Sequence, residues 1–266
     1  DLVIGTGGYV CGPVVFMASL LNIKTVIHEQ NVVPGITNKI LGRYADKIFV
    51  SFDESRGHFS HDDKVVVTGN PIRKDFLNLE KKDCRKNLGI YDERLVVMVF
   101  GGSRGAENIN MCMIDVLKYF AGRTDVQILH ITGEIHYKEV IRISERLGYK
   151  GDNISLYPYV HNMPELMGAC DLAICRAGAI TLAEITAMGL PSILIPSPYV
   201  ANNHQEHNAK ILERNGAAVV LLEKDLRPSK VIELINFFMY NKNKLKSMHQ
   251  DSKKLAKPDE IGRASC

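Results

Sequence analysis

Short runs of β-branched and apolar residues alternate along the chain with segments whose apolar positions recur every three or four residues. The runs at 2–5, 25–28, 47–51, 65–68, 95–100, 127–132, 154–157, 172–175, 192–195 and 218–222 read as strands. Segments 109–120, 137–147, 181–188 and 231–240 carry the helical spacing. Most of the strand runs are apolar at every position rather than alternating. That is the pattern of a parallel sheet covered by helices on both faces, so a doubly wound α/β architecture is expected. At Thr68-Gly69-Asn70-Pro71-Ile72-Arg73 a strand stops, and a polar helix with Lys81, Lys82, Asp83, Arg85 and Lys86 follows before the next strand. This break predicts two units across a cleft, residues 1–73 and 74–246, followed by a C-terminal segment 247–266.

The ends carry their own pattern. Asp1-Leu2-Val3-Ile4-Gly5 reads as a strand already under way, so the chain looks cut rather than complete at its start. Residues 261–266 lack periodicity and read either as a truncation scar or as a frayed terminus. The apolar stretch from Val10 to Ile23 is broken by Gly12, Pro13, Ser19 and Asn22. It is shorter than the ~20 residues a membrane-spanning helix needs, so none is expected.

Composition narrows the classes. With 266 residues, 45% hydrophobic and 24% charged, the chain is an ordinary globular one of one large or two modest domains. A formal net charge of +3 argues against a nucleic-acid partner. Six scattered cysteines without a Cys-x-x-Cys pair read as free thiols of a reducing compartment.

Three strand ends run into glycine turns that open helices: Gly5-Thr6-Gly7-Gly8-Tyr9, Gly101-Gly102-Ser103-Arg104-Gly105-Ala106 and Arg176-Ala177-Gly178-Ala179-Ile180-Thr181. Free N–H groups at a helix start, with the helix dipole behind them, favour an anion, and glycine lets a phosphate come close. Three such turns point to a phosphorylated ligand at the carboxyl ends of the strands. No Gly-x-x-x-x-Gly-Lys-Ser/Thr loop and no Gly-x-Gly-x-x-Gly spacing at Gly101 occur, which excludes a Walker loop and disfavours a nicotinamide site. Thr181-Leu182-Ala183-Glu184 has two readings. It fits a capping box, and its carboxylate also suits the two adjacent hydroxyls of a ribose. Two polar runs, His28-Glu29-Gln30-Asn31 and Asn202 to Asn208, suit a hydroxyl-rich ligand. His204 and His207 have no third ligand at a standard spacing, so neither metal nor cofactor is expected.

These turns, with Pro34-Gly35-Ile36-Thr37-Asn38, Gly69-Asn70-Pro71-Ile72-Arg73 and Asn203-His204-Gln205, occur in the order of one known family. The chain resembles the MurG family of peptidoglycan N-acetylglucosaminyltransferases, from Asp1 to about Pro258. The resemblance implies a GT-B fold of two Rossmann-like domains, the first incomplete here, with a C-terminal helix returning to the first domain. It implies inverting transfer of GlcNAc from UDP-GlcNAc to a polyprenyl-diphosphate-linked muramyl-pentapeptide, the lipid I to lipid II step of cell-wall synthesis. The enzyme would work peripherally at the inner face of the cytoplasmic membrane. By the same resemblance Asn31, Arg73, Ser103, Val160, Ala179, Ile180, Thr181, Leu182, Ala183, Glu184 and Gln205 would hold the donor. Glu184 would take the ribose, Val160 the uracil, Ser103 and Arg73 the diphosphate, and Gln205 the sugar. Gly7, Gly8 and Tyr9 would face the acceptor. Arg104 stands where the family often has Gln. The family's glycine-rich loop with a Gly-His pair, proposed to supply the catalytic base, lies before the first residue here. Poor activity follows, with His28 and Glu29 the remaining candidates for a base. The alternatives are a UDP-GlcNAc 2-epimerase of the same fold and a non-catalytic UDP-sugar-binding fragment; segments 28–31 and 7–9 favour the transferase.

Overall fold

The computed structural model describes residues 1–90, 93–148 and 151–257, so the expectation for the tail beyond Lys257 lies outside the described residues. Among these residues ten strands form two parallel sheets. The first is β1 (Leu2–Gly5), β2 (Lys24–Glu29), β3 (Lys47–Val50) and β4 (Val65–Val67), in sequential order. The second holds β5 (Leu95–Phe100), β6 (Val126–Ile131), β7 (Ile154–Tyr157), β8 (Leu172–Cys175), β9 (Ser192–Leu194) and β10 (Ala218–Val220), in the order β10-β9-β8-β5-β6-β7. Every expected strand is present, with ends shifted by a residue or two. The order reverses between β5 and β8, so β5 is where the chain switches direction across the sheet.

The second sheet is buried on both faces. Every residue of β5 is buried, and alternate residues serve opposite cores. Val97 and Val99 pack with α4 (Glu107–Phe120) and α9 (Pro228–Tyr240). Val96, Met98 and Phe100 pack with α6 (Met163–Gly168), α7 (Ala179–Met188) and α8 (His204–Arg214). Helix α4 follows the period expected of it. Ile109, Met113, Val116, Leu117 and Phe120 are buried while Glu107, Asp115 and Lys118 face solvent. Ile72 and Phe76 already belong to this second core, so the polypeptide joins it as soon as β4 has ended.

The first sheet has a smaller core of Val15, Ile27, Leu41, Ile48, Val50 and their neighbours. Its edge strand β1 leaves Leu2 and Ile4 more than half exposed. Helix α1 (Cys11–Leu20) is apolar on all sides yet buries only Val15 and Ala18. Val14, Met17 and Leu20, with Ile36 and Ile40 of α2 (Ile36–Leu41), stand in solvent.

The C-terminal helix starts earlier than residue 247, and the expected C-terminal segment beyond Lys257 lies outside the described residues. This helix, α10 (Lys242–Lys254), packs on α7 and α9 of the second unit, with Met248 in the core. Its apolar stripe has its partners there. Only its end approaches the first unit, where Lys254, Leu255, Ala256 and Lys257 border a cavity of about 240 Å³ shared with Ser51, Phe52, Asp53 and Glu54.

Candidate active site

In an open parallel sheet, ligands bind beyond the carboxyl ends of the strands where the strand order reverses. The Gly101–Ala106 turn follows β5 and the Arg176–Gly178 turn follows β8, the two strands flanking that point. A side chain at Gly101 would stand 2.3 Å from the Ala106 amide nitrogen. At Gly105, with φ +77°, it would stand 2.0 Å from the Thr132 carbonyl oxygen. Glycine is therefore required for the turn to fold back on itself and on the next turn, leaving Ser103 and Arg104 exposed. Helices α4 and α7 both start without a side-chain cap, so their first N–H groups remain available to an anion.

Glu184 is not part of a capping box. Gly178, in extended conformation, is the N-cap of α7 and Thr181 is its third residue, so no side chain caps the helix. The helix begins earlier than the Thr181 pattern suggests because Gly178 already turns the chain. Glu184 lies a further turn in, and its half-buried carboxyl accepts no hydrogen bond from any described residue. Burial pushes it up from 4.5 to about 7, against the opposing pull of the Arg73 guanidinium. An unpartnered carboxylate with a nearby cation is a ready acceptor for paired hydroxyls.

The first unit contributes the turns after β1 and β2. Gly7 and Gly8 both have positive φ, +97° and +78°, which glycine alone adopts easily, and Tyr9 is 87% exposed beside them. Glu29 is the hub of the following loop. One carboxylate oxygen accepts from the Asn31 amide (3.0 Å), the other from the Gly35 amide (3.1 Å) and Asn38 Nδ2 (2.8 Å). Nε2 of the buried His28 donates to the Gly69 carbonyl (3.0 Å), and burial lowers its basicity. Neither candidate base fits that role in this arrangement. Glu29 has both oxygens engaged by donors, and His28, its Nε2–H spent on the Gly69 carbonyl and its basicity lowered by burial, links β2 to the Gly69 turn.

The other expected site residues divide between the units. Asn31 sits in the loop after β2, Gln205 in the first turn of α8 with its Oε1 accepting from the Ser197 amide (2.9 Å). Arg73 is exposed, stacks over Phe76 and lies within electrostatic reach of Glu184. Val160 follows β7 and packs partly into the second core. Ala179, Leu182 and Ala183 line the cavity between the units with Gly69 and Asn70, while Ile180 is exposed and Thr181 half-buried.

Two residues of the glycine turns and polar runs have joining roles that the pattern did not single out. Arg176 forms a largely buried ion pair with Glu223 and donates to the Ile195 carbonyl (3.1 Å), tying together the ends of β8, β9 and β10. Asn208 of α8 bonds across to Asn31 and Val32 of the first unit. Its place on the buried face with Ala209, Ile211 and Leu212 was the available signal, since a polar residue at a core position must find partners.

The glycosyltransferase family 28 C-terminal domain matches residues 96–263, and the N-terminal domain of the same family matches residues 1–50. The chain belongs to glycosyltransferase family 28. It is 49% identical over 256 residues to the UDP-N-acetylglucosamine–N-acetylmuramyl-(pentapeptide) pyrophosphoryl-undecaprenol N-acetylglucosamine transferase of Acetivibrio thermocellus, covering 96% of this chain and 69% of the relative. The crystal structure of Acinetobacter baumannii MurG superposes with a TM-score of 0.79 at 28% identity, over 99% of this chain and 72% of that one. The UDP-GlcNAc 2-epimerase of Neisseria meningitidis, bound to UDP-GlcNAc, superposes with a TM-score of 0.71 at 13% identity, over 99% and 74%. That last likeness is one of fold. The two glycine turns at the strand reversal, after β5 and after β8, both lie inside the segment matched by the C-terminal domain.

Proposed function

We propose that this family 28 chain transfers GlcNAc from UDP-GlcNAc to a polyprenyl-diphosphate-linked muramyl-pentapeptide. The observation that carries the reading is the pair of uncapped glycine turns at the strand reversal with the unpartnered Glu184 beside them. A nucleotide sugar matches this set: anionic diphosphate for the helix starts, ribose hydroxyls for the carboxylate. Relatives named for this transfer at 49% identity support the choice of donor and acceptor.

In this reading residues 74–246, with Asn31 and Arg73, hold the donor, and the rest of residues 1–73 faces the acceptor. The acceptor hydroxyl attacks the anomeric carbon from the face opposite UDP as the bond from that carbon to the diphosphate breaks, the hydroxyl proton passes to water, and negative charge grows on the departing diphosphate. Ser103, Arg73 and the uncapped N–H groups opening α4 and α7 would stabilise that charge. Val160 takes the uracil, Gln205 and Asn31 the sugar, and the Gly7-Gly8-Tyr9 turn the acceptor diphosphate. Among the described residues no helix is long and apolar enough to cross a membrane. The exposed apolar side chains of α1 and α2 would instead meet the lipid acceptor at the inner face of the cytoplasmic membrane.

The test is calorimetry with UDP-GlcNAc together with product analysis on labelled donor and a lipid-linked acceptor. Saturable donor binding and label in the lipid product support the reading. Release of free N-acetylmannosamine, or no donor binding, overturns it. Co-flotation with anionic vesicles that Met17→Glu leaves unchanged would overturn the membrane assignment.

A further inference from the structure

We propose that Asn208 is a positioning residue that orients Asn31 for the sugar, making recognition of UDP-GlcNAc, unlike that of UDP, depend on a join between the two units. The proposal rests on the donor-site reading above and deepens it.

Asn208 lies three residues after Gln205 on α8 and is fully buried. Its Nδ2 donates to Asn31 Oδ1 (3.0 Å) and, more weakly, to the Ala177 carbonyl (3.4 Å), while its Oδ1 accepts from the Val32 amide (3.0 Å). Turning the amide over would set two donors against each other at Val32 and oxygen against oxygen at Asn31. The partners thus fix which way it points. Three segments meet on this one side chain: α8, which carries Gln205; the turn at Ala177, which opens the helix of Glu184; and the first unit's loop at Asn31 and Val32.

Asn31 is held at both ends of its own amide. Asn208 occupies its Oδ1, and its Nδ2 reaches Glu29 Oε1 at 3.4 Å. The second N–H of that Nδ2 has no partner among the described residues, and Asn31 is partly exposed. A fixed, unspent donor of this kind suits a sugar hydroxyl or an acetamido carbonyl. The contacts proposed for uracil and ribose lie in the second unit, and Arg73, proposed for the diphosphate, stands on Phe76 between two residues of the second core, so UDP alone does not require the join. Asn70 makes a second stitch, donating to the Gln30 carbonyl (3.1 Å) and approaching the Ala179 carbonyl (3.5 Å), so the two units stay joined when Asn208 is altered.

The experiment is calorimetry with UDP and with UDP-GlcNAc on the whole chain, on Asn208→Asp, on Asn31→Ala and on the double variant. Asn208→Asp keeps the acceptor for Val32 but has no N–H for Asn31. Each single variant should weaken UDP-GlcNAc about tenfold, the worth of roughly one hydrogen bond, and leave UDP within about twofold. The double variant should lose little beyond either single one, because both remove the same contact. Unchanged UDP-GlcNAc affinity, equal weakening of both ligands, or additive losses overturns the proposal. A parent chain that binds neither ligand overturns the donor-site reading itself, and this inference with it. If Asn208→Asp does not fold, amide exchange on the parent decides. Val32 must gain protection with UDP-GlcNAc and not with UDP; equal protection by both refutes the role.

Discussion

The raised carboxyl of Glu184 makes donor binding a proton-linked event. In the free protein burial holds this group at about 7 against an ordinary 4.5. A ribose that donates two hydrogen bonds needs the ionised form, so binding draws the carboxyl back down and expels a proton. At 1.36 kcal/mol per pH unit the full gap corresponds to about 3 kcal/mol, an upper figure because the group is only half-buried. If binding restores the ordinary value, affinity should fall roughly 30-fold from pH 8 to pH 5.5. Stability of the free protein runs the other way. The neutral carboxyl favours the fold fully below about 4.5, and that contribution is lost as pH rises through about 7. The assay is calorimetry of UDP-GlcNAc in buffers of differing ionisation enthalpy, which counts protons directly. UDP is the wrong ligand for this purpose because its terminal phosphate itself titrates near ~6. Glu184→Gln should weaken binding at pH 8 by about 1.5–3 kcal/mol, the range for hydrogen bonds to a charged group, and flatten the pH profile. A flat profile in the parent, or a variant that keeps the parent's slope, would refute the argument.

Three further expectations follow from the geometry. Glu29→Gln sets an NH₂ group against donors that now surround a carboxylate, and should cost about 2–4 kcal/mol in urea unfolding, with loss of order in the 30–38 loop. Gly105→Ala places a methyl 2.0 Å from the Thr132 carbonyl at a φ of +77°, so it should lower the melting temperature and weaken UDP more than a change at exposed Gly102 does. Burial raises the thiols of Cys84, Cys112, Cys170 and Cys175, Cys112 to about 12, so mass-mapped alkylation of the native protein at pH 8 should spare all four while the partly exposed Cys11 reacts.

The second unit was legible because its sequence has few ways to fold. Leu95-Val96-Val97-Met98-Val99-Phe100 is apolar on both faces and must lie between two layers, and α4 has one stripe that can reach it. The first unit was less so: β1 is equally apolar, yet it has one neighbour and stays half in solvent. Polar residues were the harder part, for a physical reason. A sequence gives the number of donors and acceptors a side chain carries but not how many the fold consumes. Glu29 ends β2 and Glu184 lies on the helix after β8, each close to a polar or glycine-rich turn. The fold surrounds Glu29 with donors and leaves Glu184 with none but the distant charge of Arg73. Burying a carboxylate without partners is unfavourable, so a site that keeps one has another use for it. The same reasoning separates His28, whose proton is spent on the Gly69 carbonyl, from Asn31, which keeps one N–H unspent. Unconsumed hydrogen-bonding capacity is thus the mark by which the proposed substrate contacts differ from the residues that build the loops, and only the tertiary structure reveals it.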